Sequence, residues 1–285
     1  MSVRAVIPAL IGTMLLLTAP GRADEIDTEH LFGFMIGSDV GRVGEREYES
    51  RTTGRLSRRG GGYRAIGQEF ELEFVPAKDM RVELGTSMAA HDIEGVTGLA
   101  DRRQSGWQGL SIDLRYRFLN REHHPFGLTL RVEAGTSRID NGSGLPARST
   151  GGDITLALDR EWIPNFLVAA INLTYQPEWS RLSFGGTERE ATIGIAGAMM
   201  AQLRPGFYLG GEARYLRTYE GFGLQEFSGD ALFIGPSAYL QLSPRAWLAA
   251  AWSVQAWGRD SRPGSSLNLE GFERHQARLI YGIGF

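Results

Sequence analysis

The sequence predicts an all-β protein, a transmembrane antiparallel up-and-down β-barrel of 12 strands over residues 44–285. Three observations lead there. Apolar and polar residues alternate with period two in runs of about 10–14 residues, the pattern of strands with two unlike faces. The connections between these runs are alternately tight and long, as where turns and loops lie on opposite sides of a membrane. The chain also opens with what reads as an export signal.

That opening is "MSVRAVIPALIGTMLLLTAPGRADEID". Arg4 supplies a positive start, Ala5 to Ala19 an apolar stretch, and Gly21-Arg22-Ala23 small residues ahead of a cut before Asp24. The apolar stretch is shorter than the roughly 20 residues of a membrane helix and contains Pro8. Residues 1–23 are therefore expected to be a cleaved signal, whose loss takes the formal charge from −3 to −5 through Arg4 and Arg22. Residues 24–43 are expected to be a leader, either periplasmic or inserted in the lumen. With no cysteine in the chain, no disulfide framework, thiol nucleophile or thiolate metal site is possible. The near-neutral charge gives no sign of a nucleic-acid partner. Of the 30 basic residues only Lys78 is a lysine; the rest are arginine.

The strands are placed at 44–57, 62–75, 80–91, 107–119, 126–138, 152–162, 165–177, 188–202, 206–218, 229–242, 246–258 and 272–285. The first has a weak apolar face, and "HLFGFMIGSD" (30–39) is its alternative; 44–57 is preferred because "YRAIGQEFELEF" follows after a short Gly-rich turn. Over 107–119, Leu110, Ile112, Leu114, Tyr116 and Phe118 oppose Ser111, Asp113, Arg115 and Arg117. The last run sets Leu279, Tyr281, Ile283 and Phe285 against Arg274, Gln276 and Arg278. Five tight connections ("PAKD", "REHHP", "IPN", "RPG", "SPRA") alternate with six longer ones, such as 93–106, 140–152 and 259–271. A soluble β-sandwich or lipocalin-like barrel would show the same alternation. Membrane burial is favoured because a soluble core would not hold so many ionised side chains. The apolar faces also end in aromatics (Phe118, Trp162, Tyr175, Trp247, Tyr281), as interfacial girdles do.

With its signal peptide, its amphipathic strands and a final "LIYGIGF", the chain resembles Gram-negative outer-membrane β-barrel proteins over residues 44–285. The resemblance implies an outer-membrane location amid lipid and lipopolysaccharide. It also implies that Tyr281, Ile283 and Phe285 belong to a signal read by the barrel assembly machinery. The stretch "GEREYESRTTGRLSRRGGGYRAIGQEFELEF" is similar to a group of uncharacterised proteobacterial barrels described as transporters, which brings no known active residues.

The alternation predicts an ionic lumen. Its lining residues are Glu49, Glu69, Glu71, Glu73, Glu83, Asp113, Arg115, Arg117, Arg131, Glu133, Glu212, Arg214 and Arg278. Glu45, Glu47, Arg81, Asp159, Glu161 and Arg274 share those faces. Barrel closure is expected to bring Arg278 near Glu49 and Arg274 nearer Arg51 and Arg55. Two readings follow: a salt-bridge network that fills a small lumen and locks the sheet, or a path for small polar or charged solutes. Twelve strands lie between the filled eight-strand barrels and the open porins, so size does not choose.

An enzyme acting on lipid or lipopolysaccharide is the other class of function. His91-Asp92 and Ser87 share a strand, but four extended residues span about 13 Å, too far for a Ser–His hydrogen bond. His275 is expected on the outer face near the rim, and no catalytic residue is assigned. His123-His124 lie in a turn and lack further ligands at metal-site spacing; neither metal nor cofactor is expected. Arg58, Arg59, Arg102, Arg103, Arg138, Arg148, Arg259 and Arg262 are placed in outer loops, where guanidinium groups meet lipopolysaccharide phosphates or simply water. The function expected is passage of a small polar solute, or a structural role in the envelope.

Overall fold

The structure, a computed structural model, describes residues 26–182, 185–260 and 265–285; the expected signal at 1–23 and Arg262 lie outside them. Twelve strands form one closed sheet. They are β1 (Arg46–Leu56), β2 (Gly62–Ala77), β3 (Met80–Glu94), β4 (Arg102–Leu119), β5 (Gly127–Ile139), β6 (Pro146–Ile163), β7 (Leu167–Leu182), β8 (Thr187–Arg204), β9 (Phe207–Glu220), β10 (Glu226–Gln241), β11 (Ala246–Arg259) and β12 (His275–Gly284). Each pairs antiparallel with its sequence neighbours, and β12 closes on β1. No edge is left unpaired, which is the condition for placing strands in hydrocarbon.

The alternation sets the faces. In β4, Leu110 is 57% and Ile112 51% exposed on the outside, while Asp113 and Arg115 are 3% exposed within. Each such outward aliphatic would forfeit roughly 1.5–3 kcal/mol if it faced water, so a belt of them calls for lipid. Phe118, Trp162, Phe166 and Phe285 ring the turn end, and Trp179, Phe227 and Trp257 the loop end. Tight turns are closed by Asp79 (φ 62°), Asn165 (φ 56°) and Gly206 (φ 73°), in the left-handed region that lets a short connection follow the strand twist.

Of four features that bear on the sequence-based expectation, three correct it, and the second decides between its two first strands in favour of the preferred 44–57. First, the strands run further at the loop end: β4 begins at Arg102 and β6 at Pro146, so much of 93–106 and 140–152 is strand. There both faces are polar, so the alternation disappears while the hydrogen-bonded ladder continues. Arg102, Arg103, Arg138, Arg148 and Arg259 therefore lie on strands, and only Arg58 and Arg59 of the described set lie in a connection. Second, residues 30–39 form no strand.

Third, Arg278 pairs with Thr53, and Glu49 with Gly282. The register is four residues from the expected one, and the Arg274 amide donates to the Ser57 carbonyl at 2.7 Å. An even slip keeps every side chain on its face, so alternation cannot detect it. Fourth, Trp247 points inward and is 5% exposed. Leu248, Ala250 and Trp252 take the outward parity of β11, which leaves Trp247 for the lumen. Its indole lies over Gly282, where a Cβ would sit 2.2 Å from the ring.

Candidate functional site, a wedged lumen

The inner wall has two unlike halves. From β1 to β6 it is a relay of ion pairs. Arg51 meets Glu49 (2.7 Å), Glu69 (2.8 Å) and Glu71 (2.7 Å). Arg81, 1% exposed, meets Glu73 (3.1 Å) and Glu83 (2.5 Å). Arg115 shares Glu83 at 2.8 Å, and Arg131 bonds both Asp113 and Glu133. Arg117 pairs with Asp79 at the turn end, at 2.8 Å. From β7 to β11 the wall carries an apolar patch of Val168, Ala170, Ala198, Met200, Phe233, Ala249 and Ala251, with Asn172 and Glu212 set into it.

Residues 26–41 fill the space between these halves as a wedge that enters and leaves at the turn end, with its tip at Gly33-Phe34. Ile26, Leu31, Phe32 and Met35 pack on Val168, Ala170, Ala198, Met200 and Tyr208. On the opposite side, Glu29 accepts from Arg81 at 2.7 Å. The wedge is as amphipathic as the lumen, and its two faces match the two walls.

Polar side chains of the barrel bind its backbone. Glu212 accepts from the amides of Gly33 (2.6 Å) and Phe34 (2.9 Å). Asn172 exchanges hydrogen bonds with Ile36 N and O, both 2.9 Å. Glu161 accepts from Ile26 N at 2.5 Å. Asp159, fully buried, takes the Ser38 amide (2.6 Å) and hydroxyl (2.8 Å), the Thr28 hydroxyl (2.7 Å) and Arg121 (3.0 Å). It thus latches both limbs of the wedge to β6. Two glycines permit this close fit: a Cβ on Gly33 would lie 2.3 Å from Ala251 Cβ, and one on Gly37 would lie 2.1 Å from the Thr28 carbonyl oxygen.

Two contacts narrow the remaining lumen. Phe34 lies beneath the guanidinium groups of Arg214 (3.8 Å from the ring centre) and Arg278 (4.6 Å). Nearer the turn end, His30 stacks on Trp247 at 4.2 Å, and the indole N–H donates to Glu47 at 2.7 Å. Burial, with Arg81 and Arg115 nearby, holds the His30 pKa well below its ordinary value.

Three cavities are strung along this line. A vestibule of about 960 Å³ opens at the loop end and is floored by Phe34, Arg214 and Arg278. A chamber of about 70 Å³ lies between Phe34 and Arg278 on one side and His30 and Trp247 on the other. A third space of about 290 Å³, bordered by Glu29, His30 and Trp247, opens at the turn end beside Phe285.

The remaining candidates fall elsewhere. His91 points inward and is 4% exposed; its Nε2 lies 3.2 Å from the Asn141 carbonyl, which ties the β5–β6 connection across the vestibule. Ser87 is on the same strand, opposite Glu69. His275 faces outward and stacks on Trp252 at 5.7 Å. Glu29, His30 and Glu73 each offer a ligand atom within 4.8 Å of the others, but Arg81 already supplies the cation between the two carboxylates.

The sequence-based lumen set came almost wholly from β1–β6, with only Glu212, Arg214 and Arg278 beyond it. The missing signal was the run of small apolar residues at inward positions of β7, β8 and β11, an inner wall that needs an apolar cover. "HLFGFMIGSD" is that cover.

A closed barrel that is apolar outside and ionic within, with its own N-terminal segment wedged in the lumen, is an outer-membrane β-barrel of the plugged kind. The chain belongs to DUF6662, a family of unknown function, whose model matches residues 24–285. No curated protein matches it in sequence. Among solved structures it is similar to an outer-membrane channel from Pseudomonas putida F1, at 12% identity over 87% of this chain and 98% of that one, with a TM-score of 0.59. It is also similar to the NanC porin (9% identity, 83% and 98% covered, TM-score 0.49). A third is the beta domain of a Bordetella autotransporter (16% identity, 86% and 100% covered, TM-score 0.49). The likeness is one of fold.

Proposed function

We propose that the protein is an outer-membrane channel for small polar or charged solutes, held shut by residues 26–41. The observation that carries this reading is the row of three cavities from loop end to turn end, the first and second both bordered by Phe34 and Arg278 and the second and third both bordered by His30 and Trp247. A barrel filled for rigidity alone would gain nothing from a 960 Å³ chamber aligned with a second opening. Both constrictions set a wedge residue against the wall, so wedge movement would widen them together. The similarity to a channel from Pseudomonas putida supports the reading through the shared barrel. A lipid-modifying enzyme has less support, because His91 faces the lumen and its ring meets the Asn141 carbonyl, with no hydroxyl hydrogen-bonded to it among the described residues. Residues 1–23 complete the proposal as a cleaved export signal, and Tyr281, Ile283 and Phe285 as the address read during assembly into lipid and lipopolysaccharide.

The double variant Phe34→Ala/Trp247→Ala removes both rings while leaving the wedge latches in place. In planar bilayers it is expected to turn rare, brief openings into sustained, discrete, ion-selective steps. A folded double variant as silent as the parent would refute the two-gate path.

A further inference from the structure

We propose that the vestibule floor is a binding site for a small polar solute bearing a carboxylate, which sits between Arg214 and Arg278; this deepens the channel reading above by naming the class of solute.

The floor holds two guanidinium groups over one aromatic ring, and among the described residues neither has a carboxylate within 4 Å. Arg214 donates through Nη2 to Ser253 Oγ (3.2 Å) and Gln276 Oε1 (2.5 Å). Its Nε is buried without an acceptor. Arg278 donates to Thr53 Oγ1 (3.0 Å) and the Gly33 carbonyl (3.3 Å), both uncharged. Nearby carboxylates are already engaged. Glu212 accepts the Gly33 and Phe34 amides. Glu273 faces Arg55 (3.7 Å) and Arg58 (3.8 Å) and accepts from Gln276 (2.9 Å).

On the wall from β1 to β6, Arg51, Arg81, Arg115, Arg117 and Arg131 each meet two or three carboxylates, and the Arg214–Arg278 pair differs from them in meeting none within 4 Å among the described residues. Buried cations are paired or they bind an anion. Phe34 offsets part of that demand through its ring face, and both arginines line the vestibule. A forked donor matches a carboxylate in two-point fashion. The chamber is of the size that takes small molecules.

Higher up, the same chamber is walled by Glu178, Glu190 and Glu220. Arg55, Arg58 and Arg189 line it as well, so the carboxylates stand in a mixed-charge rim and accept hydrogen bonds from hydroxyl or amine groups. The solute chemistry that suits both levels is a carboxylate at one end and hydrogen-bond donors along the rest, as in sugar acids and amino acids.

Calorimetric titration of the intact, detergent-folded barrel tests this with D-gluconate as probe and D-glucose as the uncharged control. Gluconate is expected to bind and glucose to give no heat beyond dilution. Arg214→Gln and Arg278→Gln should each weaken gluconate at least about tenfold, since each removes a charged donor pair; together they should abolish binding. Equal heats for the two sugars, or an unchanged affinity in the folded double variant, would overturn the site. The gluconate–glucose comparison needs only the parent protein, so a variant that misfolds leaves the test intact. Binding is read without current: a barrel that binds gluconate but never conducts refutes the channel and keeps the site, and the converse refutes the site alone.

Discussion

Arg81→Ala is expected to cost about 3–5 kcal/mol of barrel stability, because removing one partner of a buried ionic cluster leaves its counter-charges uncompensated. Three carboxylates depend on this guanidinium. Glu29 lies at 2.7 Å, Glu73 at 3.1 Å and Glu83 at 2.5 Å, and each is at most 7% exposed. Arg115 still reaches Glu83 after the change, so Glu29 and Glu73 carry most of the loss. Arg81→Lys keeps the charge but loses the fork that serves three acceptors at once, and should fall between the two. Urea unfolding of the lipid-embedded barrel, followed by heat-modifiable gel migration, measures the difference. A loss below about 0.5 kcal/mol, the size of a surface substitution, would mean that the cluster is not an organising element.

Asp159→Ala should act on the wedge and leave the sheet in place. The carboxylate accepts four hydrogen bonds at 2.6–3.0 Å, from Ser38 N and Oγ, Thr28 Oγ1 and Arg121. Bonds to a charged acceptor contribute roughly 1.5–3 kcal/mol each and do not add. A net loss of about 3 kcal/mol raises the undocked population on the order of a hundredfold. Arg121 keeps a pairing with Asp39 at 2.6 Å while the wedge is docked, which limits the loss at the turn end. Hydrogen exchange at the Gly33 and Phe34 amides, which donate to Glu212 and not to Asp159, reports undocking of the tip. Asp159→Asn keeps one acceptor oxygen and should show a smaller increase. Protection unchanged in the alanine variant would show that the apolar face alone holds the wedge.

Both predictions rest on side chains whose inward direction was legible from alternation, while their partners were not. Asp113, Arg115 and Arg117 declare their face through Leu114 and Tyr116. The twelve strands and the turn asymmetry follow from the same two-residue period. What escaped has physical causes. The closing register slid by four residues because parity is blind to even shifts. Trp247 reads as a girdle residue because its size and its place at a strand end fit either face, and only strict counting from Leu248 puts it inside.

The sequence leaves residues 24–43 with two placements, periplasmic or in the lumen, because "HLFGFMIGSD" has neither period. Its apolar residues answer a wall built from strands 130–220 positions away in the chain, and only the closed barrel brings them together. The vestibule floor is composite for the same reason, since Phe34, Arg214 and Arg278 come from the wedge, β9 and β12.

The most direct test of the plugged channel is single-channel recording from the intact barrel and from a form lacking residues 26–43, each refolded and verified by gel migration. The wedge-free barrel is expected to conduct in discrete, sustained steps, with the intact one closed for most of the record. A wedge-free barrel that folds and stays silent would contradict the account, leaving the ionic lumen as scaffold and residues 26–41 as its filling.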